Sequence, residues 1–324
     1  MVGKQIKRVL VVDDESNIIN AIQRELNSPP FVTYRYEVEG FTDPRRALER
    51  AREQAFDAVI SDYRMPDMDG LEFLTTLAKI QPDCARIVLS GQTDMDGLIR
   101  MINESRIYRF IPKPWHAYKL KTSLCQALDH SAALLEHQRL AALVRGNDIL
   151  ALAIPEREVE QLLIVDDDPG VLNSLARVLT HRSKIDHVLA AIRTEGAQAT
   201  NAVLQEDLIS VQVAPSPHHA LKIAASADFA CVITDYQMPE MNGIEFLKKF
   251  SALQPDCMSL LFSSEISKED LIDAVESANI FAFIDQPWTD FELKVQVALA
   301  LSRRRILREN RKLAELVSNS KPLN

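Results

Sequence analysis

Residues 58–66 read Ala-Val-Ile-Ser-Asp-Tyr-Arg-Met-Pro, and 173 positions later residues 231–239 read Cys-Val-Ile-Thr-Asp-Tyr-Gln-Met-Pro. Further matches on the C-terminal side of this segment share the same offset: Gly70 and Gly243, Gln81-Pro82-Asp83-Cys84 and Gln254-Pro255-Asp256-Cys257, Ser90 and Ser263, Phe110 and Phe283, Pro114-Trp115 and Pro287-Trp288. Repetition at a fixed offset indicates a duplicated structural unit. The chain is therefore predicted to contain two copies of one domain.

The chain length agrees with two domains, because 324 residues exceed the usual size of a single hydrophobic core. Near the start of each copy the offset is 153 rather than 173, so the second copy carries about 20 extra residues, which we expect near 186–206. The predicted organisation is a first domain over 1–125, a helical linker over 126–157, a second domain over 158–302 and a helical tail over 303–324.

Each copy alternates short apolar runs with segments of helical periodicity. The strand candidates of the first copy are residues 8–12, 35–39, 57–61, 86–89 and 107–111. Residues 16–26 place Ile18, Ile19, Ile22 and Leu26 on one helical face. Apolar runs without alternation indicate strands that are buried on both faces, so the pattern predicts an α/β fold with a doubly wound, five-stranded parallel sheet, present twice.

In such a fold ligands bind beyond the carboxyl ends of the strands. Asp13, Asp14, Asp62, Ser90 and Lys113 all follow or end a strand candidate of the first copy. We therefore expect these five side chains to share one pocket.

These motifs together resemble the receiver domains of bacterial response regulators. The shared features are an acidic pair after strand one, an Asp-x-x-Met-Pro-x-Met-(Asp/Asn)-Gly segment after strand three, a hydroxyl residue after strand four and Lys-Pro after strand five. The resemblance implies two flavodoxin-like (CheY-like) domains of strand order 2-1-3-4-5, each with an extended C-terminal helix, that act in two-component phosphorelay signalling.

Three carboxylates at one place repel one another unless a cation neutralises them, and Mg²⁺ favours oxygen ligands. The resemblance implies that Asp14 and Asp62 bind Mg²⁺ directly, that Asp13 does so through water, and that the backbone carbonyl of Arg64 completes the set. An alternative for Asp14 is that it caps the helix beginning near Ser16.

By the same resemblance, Asp62 is the nucleophile that accepts a phosphoryl group, since a carboxylate forms an acyl phosphate. Lys113 supplies a positive charge and Ser90 a hydroxyl donor to the phosphoryl oxygens. Phe110 matches the aromatic switch residue of the family, and plain core packing is its alternative. Pro114 resembles the cis-proline of the family.

The second copy departs from this pattern, chiefly at the lysine. Its acidic residues Asp166 and Asp167, candidate phosphoacceptor Asp235 and hydroxyl residue Ser263 are retained, but Gln286 replaces the lysine. The adjacent Asp285 adds negative charge, and Ser264 replaces Gly91 and is expected to crowd the pocket. We hypothesise that this copy is a pseudo-receiver, or a receiver that is phosphorylated without normal switching.

Both copies are predicted to end in long helices, over residues 116–145 and 290–318, with apolar residues such as Leu299, Ile306 and Leu313 at intervals of seven. Such spacing suggests pairing of helices, in a homodimer or with a partner protein. The second of these helices also carries a basic run at 303–312. Because the chain has a net charge of −9, we interpret this run as a solvated helix face rather than a nucleic-acid site.

No secretory signal or membrane span is recognised in the sequence, so a cytoplasmic location is expected. The expected function is that of a response regulator phosphorylated on Asp62 by a histidine kinase or phosphotransfer protein, with output through a downstream protein partner or dimerisation. Its only expected catalysis is its own phosphoryl transfer and dephosphorylation. The alternatives are a phosphate sink or phosphohydrolase that drains a kinase, and a scaffold with vestigial pockets.

Overall fold

The structure is a computed structural model. It describes residues 5–28, 34–91, 107–115, 117–145, 159–181, 209–264 and 280–319, together with scattered positions between 266 and 278. The chain forms two compact units, Met1–Leu135 and Glu136–Asn324. The insertion predicted near 186–206 lies outside the described residues.

The first unit is a parallel sheet flanked by helices. Its strands are β1 (Ile6–Val12), β2 (Arg35–Phe41), β3 (Ala58–Asp62), β4 (Ala85–Ser90) and β5 (Arg109–Pro112). Its helices are α1 (Ser16–Asn27), α2 (Pro44–Glu53), α3 (Gly70–Ile80) and the first part of α4 (Ala117–Arg145). The strand order is β2-β1-β3-β4-β5, and every neighbouring pair is parallel.

The second unit repeats this architecture. Its strands are β6 (Glu160–Val165), β7 (Ile209–Ala214), β8 (Cys231–Asp235), β9 (Met258–Ser263) and β10 (Ala282–Asp285). Its helices are α5 (Pro169–Thr180), α6 (Pro217–Ala224), α7 (Gly243–Leu253) and α8 (Asp290–Asn319). The parallel order β7-β6-β8-β9-β10 matches that of the first sheet, so the predicted fold class and strand order are confirmed for both copies.

The central strands show why these segments form buried sheet. Every residue of β3 and β4 is buried, and so are the last four residues of both β1 and β6. Strands with side chains buried on both faces require helices on both sides of the sheet. The core of each unit therefore lies on the two faces of its sheet, and the carboxyl ends of the strands remain available for a site.

The predicted domain limits at 125 and 302 fall inside the continuous helices α4 and α8, whereas the two compact units divide between Leu135 and Glu136. No helix break marks either predicted limit, so the precise domain boundaries stay predictions.

A half-buried amide connects the end of α2 to the segment that precedes β3 in the first unit. The Gln81 Nε2 donates to the carbonyls of Ala51 and Gln54 at 2.6 and 2.7 Å, and its Oε1 accepts from the Phe56 N–H at 2.8 Å. In the second unit Gln254 makes the equivalent bonds to Ala224, Ala227 and Phe229. The glutamine of the repeated Gln-Pro-Asp-Cys segment therefore has the same structural role in both units.

A lysine on the last helix of each copy donates a hydrogen bond to the C-terminal end of the first helix of that copy. The Lys121 ammonium on α4 donates to the carbonyl of Ser28, the C-cap of α1. The Lys294 ammonium on α8 donates at 2.8 Å to the carbonyl of His181, the C-cap of α5. Carbonyls at a helix C-terminus lack partners within the helix and favour a cation, so both lysines stabilise their units.

Among the described residues, no helix combines the length and the apolar character that crossing a membrane would require.

Candidate functional site

The carboxyl ends of four neighbouring strands bring the predicted site residues of the first unit together. Asp13 directly follows β1, Asp62 and Ser90 end β3 and β4, and Lys113 directly follows β5. The strands are parallel, so their carboxyl ends meet at one edge of the sheet.

Lys113 lies between two of the carboxylates. Its Nζ is 2.7 Å from Asp13 Oδ2 and 2.8 Å from Asp62 Oδ1. The Lys113 backbone N–H also donates to the carbonyl of Ser90 at 2.7 Å. This bond holds the backbone of Lys113 beside the end of β4. Burial alone lowers the pKa of Lys113, but the hydrogen bonds to Asp13 and Asp62 outweigh it and raise the pKa, so the ammonium form is favoured.

Three carboxylates converge at the same place. Oxygens of Asp13, Asp14 and Asp62 lie within 4.8 Å of one another, with Asp13 and Asp62 buried and Asp14 exposed. Burial raises the pKa of Asp13, although its bonds to Lys113 and to the Glu15 N–H oppose that change. An all-oxygen set of one exposed and two buried carboxylates fits Mg²⁺, which keeps part of its water shell when protein-bound.

The helix-capping alternative for Asp14 is wrong. The N-cap of α1 is Glu15, and no side chain caps that helix. The acidic side chain that does bond the backbone here is Asp13, whose Oδ1 accepts from the Glu15 N–H at 2.9 Å. Asp14 is therefore available to the pocket.

The loop after β3 depends on a glycine whose role the sequence did not reveal. The Gly70 N–H donates to the carbonyl of Tyr63 at 2.8 Å, and a Cβ on Gly70 would lie 2.3 Å from the backbone oxygen of Asp62. Gly243 stands in the same relation to Asp235, at 2.2 Å. In the sequence, the only indication of this role was that Gly70 is repeated as Gly243 in the second copy.

The remaining predicted residues of the first unit lie on β4, on β5 or just beyond β3. Ser90 is buried at the end of β4. Phe110 lies half-buried on β5, where it pairs with Val88 of β4. Arg64 is exposed, two residues beyond Asp62. The Lys113-Pro114 bond is cis, as the resemblance implied, and the Gln286-Pro287 bond is cis as well.

The second unit places its site residues at the same strand ends but differs in the contact made by the residue after its last strand. Asp166 follows β6, while Asp235 and Ser263 end β8 and β9. Gln286 Nε2 is 3.5 Å from Asp235 Oδ1, the outer limit of a hydrogen bond, whereas the Gln237 N–H donates to Asp235 Oδ2 at 2.8 Å. The amide of Gln286 therefore replaces a close ion pair with a weak contact.

Without the ammonium, the acidic groups of this unit repel one another. Burial raises the pKa of Asp166, and the carboxylates of Asp235, Asp167 and Asp168 raise it as well. One backbone hydrogen bond opposes these effects, and the resulting pKa is about 6. Burial also raises the pKa of Asp235. Within the described part of the chain, the only group of three metal-binding side chains with oxygens as close as 4.8 Å is the one in the first unit.

The expectation that Ser264 crowds the second pocket is not supported by its equivalent in the first unit. A Cβ on Gly91 would meet no heavy atom within 4 Å among the described residues, and Ser264 itself is exposed. The missing lysine is thus the principal difference between the pockets.

Comparison with protein families gives a match to the response regulator receiver domain over residues 9–125 and again over residues 195–298. Together the two segments cover more than half of the chain, and the second begins downstream of β6 and α5.

Among curated proteins, the hydrogenase transcriptional regulatory protein HoxA of Cupriavidus necator is 36% identical over 121 residues, 37% of this chain and 24% of HoxA. The C4-dicarboxylate transport transcriptional regulatory protein DctD of Rhizobium meliloti is 27% identical over 197 residues, 60% of this chain and 39% of DctD. The chain thus matches 24% and 39% of the lengths of these two relatives.

Among solved structures, the signal receiver domain of an HD domain-containing protein from Pseudomonas fluorescens Pf-5 shares 32% identity, with a TM-score of 0.36. It aligns over 40% of this chain and 99% of its own length. A response regulator receiver domain from Clostridium thermocellum shares 29% identity over 40% of this chain and 98% of its own, also with a TM-score of 0.36.

Proposed function

Since the chain belongs to the response regulator receiver domain family, we propose that it is a tandem receiver that accepts a phosphoryl group on Asp62 from a histidine kinase or a phosphotransfer protein. The observation that carries this proposal is the position of the Lys113 ammonium, within 2.8 Å of both Asp13 and Asp62.

The proposed reaction is a displacement at phosphorus. A carboxylate oxygen of Asp62 forms a bond to the phosphorus of the donor, the bond between phosphorus and the donor atom breaks, and an acyl phosphate remains on Asp62. The electron pair of the broken bond stays with the donor. Little covalent chemistry is needed from the protein, so positioning and charge compensation carry the rate.

Each neighbour of Asp62 has a proposed role. Lys113 offers its charge to the oxygens of the transferred group, and Ser90 offers its hydroxyl as a donor. Asp13, Asp14 and Asp62 would hold Mg²⁺, with the backbone carbonyl of Arg64, and this ion would screen the negative charges of nucleophile and phosphoryl group. Phe110, half-buried on β5, is the proposed switch residue that responds to a change at Ser90.

The second receiver is proposed to be degenerate. Among the described residues, Asp235 has no ammonium partner equivalent to Lys113, and its contact with Gln286 is 3.5 Å long. A charged hydrogen bond contributes about 1.5–3 kcal/mol against about 1 for a neutral one. We therefore expect slow phosphorylation of Asp235, or phosphorylation without the structural change of a complete receiver.

The proposed output is contact with a downstream protein. HoxA and DctD are named as transcriptional regulators, but this chain matches 24% and 39% of their lengths. Their activities as whole proteins therefore do not transfer, and the receiver function is the part that these relatives support.

The direct test compares the wild type with Asp62→Asn and Asp235→Asn. Each protein is treated with Mg²⁺ and a small-molecule phosphodonor, and the added phosphoryl mass is measured. We expect the wild type and Asp235→Asn to gain one phosphoryl group rapidly and Asp62→Asn to lose that gain. Equal labelling of the wild type and Asp62→Asn would refute the assignment.

The same samples separate the alternatives. A phosphate sink would release the group from Asp62 within seconds to minutes, whereas an output-competent receiver would retain it long enough to engage a partner. Absence of labelling in the wild type would favour a scaffold with vestigial pockets.

A further inference from the structure

Two helical segments lie side by side within the second compact unit. One is residues 136–145 of α4 and the other is the C-terminal half of α8. The buried residues Leu140, Val144 and Leu313 form a cluster against which Ala141, Leu316 and Val317 pack. Beside this cluster, His137 Nδ1 is 3.0 Å from Asn310 Oδ1.

The hydrogen-bonded pair joins equivalent positions of the repeat, and the apolar cluster contains two further pairs of equivalent positions. His137 and Asn310 are separated by 173 residues, and so are Leu140 and Leu313, and Val144 and Val317. This separation equals the offset of the duplicated motifs. A step of three residues along one helix accompanies a step of three along the other, so the segments run parallel and in register.

The spacing of these residues is that of a heptad repeat. Positions 137, 140 and 144 follow the a, d, a spacing, and positions 310, 313 and 317 follow the same spacing on the second helix. In parallel two-stranded coiled coils, a residues face a residues and d residues face d residues. The Leu140 and Leu313 side chains form such a d layer, 4% and 9% exposed.

The polar pair of His137 and Asn310 explains why the two helices align in this register. A polar residue at a single a position selects one alignment of the helices, because any shifted alignment would bury it against an apolar side chain. His137 and Asn310 meet each other at an a layer, and His137 Nε2 is also 3.7 Å from the carboxylate of Glu309. A shift by one heptad would remove these contacts.

We infer that residues 137–144 and residues 310–317 are two copies of one dimerisation surface, and that a single chain engages both as a parallel intrachain coiled coil. The partner of each heptad face is thus the equivalent face of the other repeat in the same chain. This inference does not depend on phosphorylation of Asp62.

Linkage within one chain favours this pairing over pairing between chains. Two surfaces of one chain meet in an intramolecular step, at an effective concentration that the intervening residues set and that does not fall when the protein is diluted. A homodimer through the same helices, as the sequence suggested, would require two chains to exchange them. The full chain should therefore keep this surface occupied while monomeric.

Disulfide cross-linking tests the pairing in the full chain. The double variant Leu140→Cys/Leu313→Cys places one thiol on each helix at the proposed d layer, and a disulfide forms only if the two Cα atoms lie within about 7 Å. The control Ala142→Cys/Leu313→Cys replaces an exposed alanine on the opposite side of the same helix turn. The wild type under the same oxidant gives the background from the four native cysteines, two of which are buried.

We expect most of the Leu140→Cys/Leu313→Cys chains to form a disulfide at monomer mass at low micromolar concentration, and at least fivefold fewer of the control chains. Mass is read by non-reducing electrophoresis and light scattering. A second in-register pair, Val144→Cys/Val317→Cys, should behave in the same way, so that the test remains valid if one variant misfolds. Cross-links mainly at dimer mass, no cross-link in either pair, or equal yields in the control would each overturn the inference.

Discussion

At the scale of single residues, the two pockets differ most clearly in the ammonium of Lys113. Lys113 contacts two carboxylates at 2.7 and 2.8 Å, whereas Gln286 contacts one at 3.5 Å. Both side chains occupy the same place after the fifth strand and precede a cis proline. The pair thus provides a comparison in which the fold is constant and the ammonium varies.

We predict opposite effects of exchanging these two residues. Lys113→Gln should slow phosphorylation of Asp62 by about tenfold or more, because an energy loss near 1.4 kcal/mol corresponds to a factor of ten. Gln286→Lys should speed phosphorylation of Asp235 by a similar factor. Site-resolved phosphorylation rates measure both. If Gln286→Lys leaves Asp235 as slow as before, the degeneracy of the second receiver has another cause.

The thiol of Cys84 offers a second prediction at this scale. Burial raises the pKa of Cys84 to about 12, so at pH 8 the thiol remains protonated, and the thiolate is the reactive form. In the native protein Cys84 should resist alkylation at pH 8, and it should react at the rate of an ordinary cysteine in denaturant. The measurement is mass spectrometry of alkylated peptides, with half-buried Cys125 as the internal comparison.

The sequence predicted most of the first pocket because its members follow strand ends that a parallel sheet must bring together. Asp13, Asp62 and Lys113 are in contact as the pattern required. The capping alternative for Asp14 failed because Glu15 occupies the cap position. The roles of Gly70 and Gln81 were missed, since they depend on backbone atoms that come near only after folding.

At the scale of secondary-structure elements, the amide of Gln81 connects the end of α2 to the start of β3. We predict that Gln81→Ala lowers the free energy of unfolding of the first unit by about 2–3 kcal/mol, because three hydrogen bonds of about 1 kcal/mol each are lost. Gln254→Ala should have a similar effect on the second unit. Urea denaturation monitored for each unit provides the measurement, and a change below 0.5 kcal/mol in both would contradict the prediction.

The turn between β3 and α3 gives a prediction with a matched control. Gly70→Ala should destabilise the first unit by about 1–3 kcal/mol and displace Asp62, because its Cβ would lie 2.3 Å from the Asp62 carbonyl oxygen. Gly91→Ala places its Cβ where no described atom lies within 4 Å and should change stability by less than about 0.5 kcal/mol. Thermal unfolding and the phosphorylation rate of Asp62 compare the two variants.

The element boundaries show what periodicity can and cannot predict. The long last helices were placed within one residue, because their apolar spacing is continuous from 117 to 145 and from 290 to 319. The fifth strand was predicted over 107–111 and is Arg109–Pro112. Ile107 and Tyr108 are buried like strand residues although they precede the strand, so hydrophobicity alone misplaces its start.

At the scale of the whole molecule, two receivers of one fold carry unequal pockets. Mg²⁺ that binds only folded protein stabilises it, by about 2.7 kcal/mol at one hundred times the dissociation constant. We predict that Mg²⁺ raises the melting temperature of the first unit in the wild type and that Asp14→Asn removes most of this gain. Calorimetry with Mg²⁺ or with a chelator measures it, and an equal gain in the variant would show that Asp14 is not a ligand.

The contacts of Lys121 and Lys294 with Ser28 and His181 set a lower limit on the length of an excised receiver. A fragment of the first copy that stops soon after its fifth strand would contain the complete sheet and every pocket residue, yet the terminal carbonyl of its first helix would have lost its ammonium partner. We therefore expect an autonomous receiver cut from this protein to extend past Lys121, even though every proposed pocket residue lies at or before Lys113.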